Sequence, residues 1–267
     1  MTVPPADGVS AATPAVPALR ASGLWKRFGA TVAVAGVDLV VPAGSFFGLV
    51  GPNGAGKTTT MLMLTGLLRP DAGTAEVLGA DVWRNPVEAK RSIGVLPEGL
   101  RLFERLSGRE LLQYVGRLHR LAPADADARA EEQLAVLGLT AAARTLVVDY
   151  STGMRKKIAL ASALIHNPRV LFLDEPFEAV DPVSAHTIRE VLQRYTASGS
   201  SVIFSSHAMD LVERLCDSVA VMHAGRIVAA GPLDAVRRGQ SLEQAFLAYV
   251  GAPIGGEGLT WLGSSSG

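Results

Sequence analysis

An α/β fold with a mainly parallel sheet and a helical insertion follows from three observations along this chain of 267 residues. Short apolar runs alternate with stretches of helical spacing, the pattern of strands covered by helices on both faces. One run, Phe46-Phe47-Gly48-Leu49-Val50, passes through a glycine-rich loop directly into Thr60-Met61-Leu62-Met63-Leu64, which reads as a helix. From about residue 100 to 160 the strand-like runs stop and helical periodicity takes over.

Each element has its own signal. Leu19 to Val41 carries short β-like pieces with a turn at Phe28-Gly29-Ala30. The helix after the glycine loop is predicted to end near Leu68, before Pro70. Asp71-Ala72-Gly73 turns into a strand over Thr74–Val77, and Ser92–Leu96 is a strand stopped by Pro97. Ser107 and Glu110 have the spacing of a capping box. Behind them Leu111, Tyr114, Val115 and Leu118 share one helical face. Asp125 to Leu137 is helical with Gly138 as its C-terminal stop. Arg155–Ile165 is a helix, Val170–Leu173 a buried strand, Ala185–Tyr195 a helix and Ser201–Ser205 a strand. Ala208–Leu215 is then a helix and Ser218–Met222 a strand.

Composition bounds the function. With 48% hydrophobic and 19% charged residues the chain can bury an ample core in one domain, drawn at residues 19–250. Residues 1–18 are Ala/Pro-rich without a basic start or apolar core, so they read as a disordered lead-in and not as a signal peptide. Residues 251–267 read as a flexible Gly/Ser tail. A formal net charge of zero leaves no broad basic field for nucleic acid, which is not expected as a partner. Cys216 is the single cysteine; it excludes a disulfide framework and reads as a small core residue near a helix end. The longest apolar candidate, Val32 to Val50, is interrupted by Asp38, Pro42 and Gly44, so no membrane-spanning segment is expected.

Four constellations carry chemistry. Gly51-Pro52-Asn53-Gly54-Ala55-Gly56-Lys57-Thr58-Thr59 is GxxxxGK[ST] between a strand and a helix, the context that makes it a phosphate-binding loop. Glycines let backbone N–H groups face the anion, and the helix N-terminus adds its positive end. Lys57 is expected at the β- and γ-phosphates and Thr58 on Mg²⁺. This loop alone specifies a nucleotide and does not separate ATPase, GTPase and kinase. Val170-Leu171-Phe172-Leu173-Asp174-Glu175 is an apolar strand ending in two acids. Beside a phosphate loop, Asp174 suits Mg²⁺, and Glu175 can polarise a water in line with the γ-phosphate. Ser151-Thr152-Gly153 opens a helix; read alone, it is an ordinary N-cap. His207, after the polar strand end Ser205-Ser206, can hydrogen-bond a phosphate oxygen.

In this order, from Leu19 to Val250, these motifs resemble the ATP-binding cassette (ABC) ATPases, specifically the nucleotide-binding subunits of transporters. The resemblance implies a RecA-like P-loop NTPase core with an antiparallel β subdomain and a helical subdomain. It implies ATP and Mg²⁺ as ligands, with Lys57, Glu175 and His207 catalytic. Gly51, Asn53, Gly54, Ala55, Gly56, Lys57, Thr58 and Thr59 would bind nucleotide. Phe28 resembles the aromatic that stacks on adenine, with loop packing as the alternative. Ser151 and Gly153 resemble the signature that meets ATP held by a second subunit. Asp181, before Pro182, resembles the interface aspartate, and it also fits a helix N-cap.

Three departures from the family pattern stand out. Glu98 occupies the slot where glutamine is usual; it keeps a hard-cation ligand and adds charge. Thr152 and Met154 alter the signature. Phe177-Glu178-Ala179-Val180 replaces a small polar run. Such variants resemble export-type cassettes that pair with a separately encoded permease. The resemblance therefore implies an ATPase powering a membrane permease for export, as a homodimer peripheral to the cytoplasmic face of the membrane. The alternative it leaves is a soluble ABC ATPase of protein or iron–sulfur assembly.

Overall fold

The computed structural model describes residues 16–99 and 102–251. Most of the lead-in, the segment 100–101 and the tail beyond Gly251 lie outside the described residues. Ala18, drawn with the lead-in, is fully buried, and its carbonyl accepts from Leu78 N–H at 3.1 Å.

The chain runs β1 (Leu19–Phe28), β2 (Thr31–Val41), β3 (Phe46–Val50), α1 (Lys57–Leu64), β4 (Ala72–Val77), β5 (Ala80–Asp81), α2 (Pro86–Arg91) and β6 (Ile93–Leu96). The helical insertion follows as α3 (Gly108–Leu118), α4 (Pro123–Val136) and two short 3-10 turns, leading into α5 (Thr152–Leu164). Then come β7 (Val170–Asp174), α6 (Pro182–Ala197), β8 (Ser201–Ser206), α7 (Met209–Leu215), β9 (Ser218–His223), β10 (Arg226–Pro232), α8 (Leu233–Arg237) and α9 (Leu242–Val250).

Two sheets result. One is antiparallel, in the order β2-β1-β4-β5. The other, β10-β9-β3-β8-β7-β6, is parallel except at its β10 edge. The central strands are apolar on both sides because both sides are covered. Successive side chains point to opposite faces. Phe46, Leu171, Leu173, Val202 and Phe204 therefore face the core shared with Leu111, Leu112, Leu134 and Ile158 of the helical insertion. Phe47, Leu49, Val170, Phe172 and Ile203 face the core shared with α1 and the antiparallel sheet.

Some expectations shift. α1 ends at Leu64, short of Leu68, because the Thr65 hydroxyl donates to the Met61 carbonyl and the chain turns at Gly66. α3 buries Leu111 and Leu112, whereas Tyr114 and Leu118 of its predicted apolar face are exposed. Tyr114 packs edge-on against Phe103, with ring centroids 5.1 Å apart. Leu19–Val41 forms two long strands whose pairing is broken by register shifts.

Candidate nucleotide-binding and hydrolysis site

The C-terminal ends of β3, β8 and β7 lie side by side. Val50 pairs with Ser206, and Ser205 pairs with Asp174. Strand ends of open α/β sheets are where ligands bind. Here that edge brings together the loop after Val50, the acids after Leu173 and His207 after Ser206. Gly56, at φ 103°, begins α1; a Cβ there would lie 2.4 Å from the Ala33 carbonyl oxygen, so only glycine fits. The Lys57 ammonium is buried, 2.8 Å from the Gly51 carbonyl, 3.2 Å from that of Pro52 and 3.6 Å from Glu175 Oε1.

Glu175 is held from every side. Its φ of 46° is left-handed, a strain of order 1–2 kcal/mol for a residue with a Cβ. Its N–H donates to Ser205 Oγ at 3.0 Å, and its carbonyl accepts from Lys156 Nζ at 2.8 Å and from Glu178 N–H at 3.3 Å. His207 Nδ1 lies 3.1 Å from its Oε1. The Ser205 hydroxyl in turn donates to Asp174 Oδ1, so one serine ties both acids together.

Thr58 Oγ1 donates to Glu98 Oε2 at 3.0 Å. Among the described residues no group of three or more His, Cys, Asp or Glu could hold a metal alone. The hydroxyl of Thr58 and the carboxylates of Glu98 and Asp174 are hard oxygen donors, which suits a Mg²⁺ that keeps waters and phosphate oxygens in its shell.

Lys57, Thr58, Glu98, Glu175 and His207 border a cleft of about 400 Å³, lined also by Asn53, Gly54, Gly56, Thr59, Thr31–Ala33 of β2 and Glu178, while Asp174 is buried at the end of β7 and does not line it. Phe28, Ser151 and Gly153 do not line it. Phe28 is half exposed at the tip of the β1–β2 hairpin, with Lys26 Nζ 5.6 Å from its ring centroid. Ser151 caps α5 through Met154 N–H at 3.3 Å. Gly153 packs against the start of α6: a Cβ there would stand 2.4 Å from Asp181 Oδ2 and 2.5 Å from Ser184 Oγ. Asp181 caps α6 by accepting from Ser184 N–H at 2.9 Å, and that bond draws its carboxyl below the usual range.

Sequence reasoning missed Lys156, Ser205, Glu178 and Thr31–Ala33. Lys156 lay in plain view on the helix opened by Ser151. Burial lowers its ammonium pKa, partly offset by Glu178, Glu175, Asp174 and Glu98.

A phosphate loop facing a paired acid and a histidine across parallel strand ends defines a P-loop ATPase. Residues 34–178 match the family model described as ABC transporter. The daunorubicin resistance ATP-binding protein DrrA3 of Streptomyces coeruleorubidus is 40% identical over 220 residues, 82% of this chain and 70% of that protein. The Nod factor export ATP-binding protein I of Ralstonia nicotianae is 38% identical over 228 residues, 85% of this chain and 70% of that protein. A solved structure of the ATP-binding subunit of an ABC transporter superposes with a TM-score of 0.81 at 30% identity, covering 87% of this chain and 99% of that one. The chain belongs to the ABC transporter family, as its ATP-binding, ATP-hydrolysing cassette.

Proposed function

We propose that this cassette powers export through a separately encoded integral-membrane permease, as a homodimer peripheral to the cytoplasmic face of the membrane. Among the described residues no helix is long and apolar enough to cross a membrane. A path for cargo would therefore be formed by another segment or chain. The names of the relatives, a drug-resistance subunit and an export subunit, support the outward direction and favour transport over protein or iron–sulfur assembly.

The observation that carries the catalytic reading is Glu175 between Lys57 and His207 at the strand ends. The Glu175 carboxylate accepts a proton from the water that attacks the γ-phosphorus, and ADP leaves as the bond to the γ-phosphoryl group breaks. His207 orients that carboxylate and reaches the γ-phosphate. Lys57 and the loop N–H groups of Gly51, Asn53, Gly54, Ala55 and Gly56 hold the phosphates, with Thr59 beside them. Thr58, Asp174 and Glu98 would hold Mg²⁺, which neutralises phosphate charge when bound. Phe28 stacks on the adenine. Ser151 and Gly153, which do not reach their own chain's cleft, serve the ATP of a second copy. The permease docks beside Glu98, Arg101 and Phe103, of which Arg101 lies outside the described residues.

The test is affinity capture of this chain from gently solubilised native membranes, with mass spectrometry of what accompanies it. A polytopic membrane protein in near-stoichiometric amount is expected. Soluble partners alone, with the chain absent from membranes, would replace transport by the assembly reading and leave the ATP chemistry standing.

A further inference from the structure

Lys156 has no place in the roles above, yet it is one of the most unusual side chains near the cleft. It is buried on α5, and its ammonium bonds to a peptide carbonyl, that of Glu175, at 2.8 Å. Burying an ammonium against a neutral carbonyl is unfavourable unless surrounding charge compensates. The compensation here comes from four carboxylates, in falling order Glu178, Glu175, Asp174 and Glu98. Two of them, Glu98 and Glu178, belong to segments that depart from the family pattern. The same carbonyl belongs to a left-handed residue. Such a conformation persists only where the surroundings over-determine it.

The geometry points to Lys156 as a positioning residue for hydrolysis: by tying the Glu175 peptide to α5 amid four carboxylates, it sets the aim of the water-activating carboxylate. This inference rests on the reading of Glu175 as the group that accepts the water's proton. α5 also carries Ser151 and Gly153 at its N-terminal end, and Gly153 abuts the cap of α6. A single rigid helix thus joins the surface offered to a second subunit with the peptide that orients the carboxylate. When α5 moves, Glu175 moves with it. Lys156 touches no reacting atom, so its effect falls on the rate of the chemical step and not on nucleotide binding.

The experiment compares Lys156→Met, Lys156→Arg and Glu175→Gln in the full chain, measuring ATPase kcat and KM, equilibrium ATP binding and the melting temperature. Misplacing a catalytic group by about 1 Å costs on the order of 100-fold. Lys156→Met is therefore expected to lower kcat about 10- to 100-fold, with KM and ATP affinity within about twofold of the parent. Lys156→Arg, which keeps charge and donors, is expected to recover most of the loss. Unchanged kcat in Lys156→Met overturns the inference. So does a joint fall of kcat, ATP affinity and melting temperature that Arg does not relieve, because that is the mark of a merely structural lysine. Glu175→Gln separates the two readings. If it turns over normally, the underlying assignment fails; if it is inactive while Lys156→Met is normal, only the role of Lys156 fails.

Discussion

Glu175 stores strain and is held at its backbone and at its carboxylate at once. Ser205 takes its N–H, Lys156 its carbonyl, and His207 and Lys57 approach its carboxylate. Such redundancy implies that the carboxylate can be neutralised without disturbing the fold. Glu175→Gln is expected to bind ATP with unchanged affinity and to lose about 10²- to 10⁴-fold in hydrolysis, the range for a general base. Steady-state phosphate release near the parent rate would refute the assignment. Gly153 supplies the opposite case, in which one added methyl group does harm through crowding. In Gly153→Ala the new Cβ would collide with Asp181 Oδ2 and Ser184 Oγ, which form the α6 cap. ATP binding to the isolated chain should survive, while ATP-driven dimerisation, followed by light scattering, should weaken at least several-fold. Dimerisation equal to the parent's would show that the signature and α6 move independently.

Helix caps are where sequence and structure agree most closely among the elements. Ser107 and Glu110 form both bonds of a capping box on α3, and the Ser107 N–H and then its hydroxyl, both donating to the Glu110 carboxyl, hold that carboxyl below its ordinary range. Ser107→Ala should therefore cost about 1 kcal/mol in a denaturant titration. A cost below about 0.3 kcal/mol would mean that the packing of Leu111 and Leu112 alone sets where this helix begins. The central strands were legible because burial on both faces leaves a continuous apolar run. The phosphate loop was legible because its chemistry is local: backbone N–H groups, glycine spacing and the helix that follows. β10 was not legible, since it is half exposed and shows no alternation. α9 opens on a capping box of Ser241 and Gln244, a local signal that the sequence carries in full. Lys156 and Ser205 escaped for a deeper reason. Their partners are fixed by β8 lying beside β7 and by α5 packing on β6, contacts that join distant parts of the chain. No local window contains such a relation.

At the scale of the whole molecule, the seam between the helical insertion and the parallel sheet contains a pH-sensitive pair. His119, closing α3, stacks on His166, beyond α5, with ring centroids 3.7 Å apart and planes within 6°. His166 Nε2 lies 2.9 Å from the Ile93 carbonyl of β6, so Nε2 carries the proton in the neutral ring. Its Nδ1 is buried without a hydrogen-bond partner among the described residues. A proton arriving at Nδ1 would find no acceptor, and His119 and Arg129 would oppose its charge. Burial first, then His119, lowers the His166 pKa to about 4. The fold thus favours the neutral ring, and on acidification the unfolded chain takes up the proton first. The stabilisation is complete above the ordinary histidine value near 6.5 and drains away as pH falls toward 4. Through this residue the unfolding free energy should drop across that window by about 1–2 kcal/mol, because solvent reaching the partly exposed ring screens the charge and reduces the effect of the full shift. Denaturant midpoints measured from pH 7.5 to 4.5 should fall more steeply for the parent than for His166→Gln, whatever the plateau of the variant. Amide exchange should accelerate first in α3 and β6, where the seam parts. Parallel pH slopes for the two proteins would place the acid sensitivity elsewhere and leave the stacked rings a packing feature only.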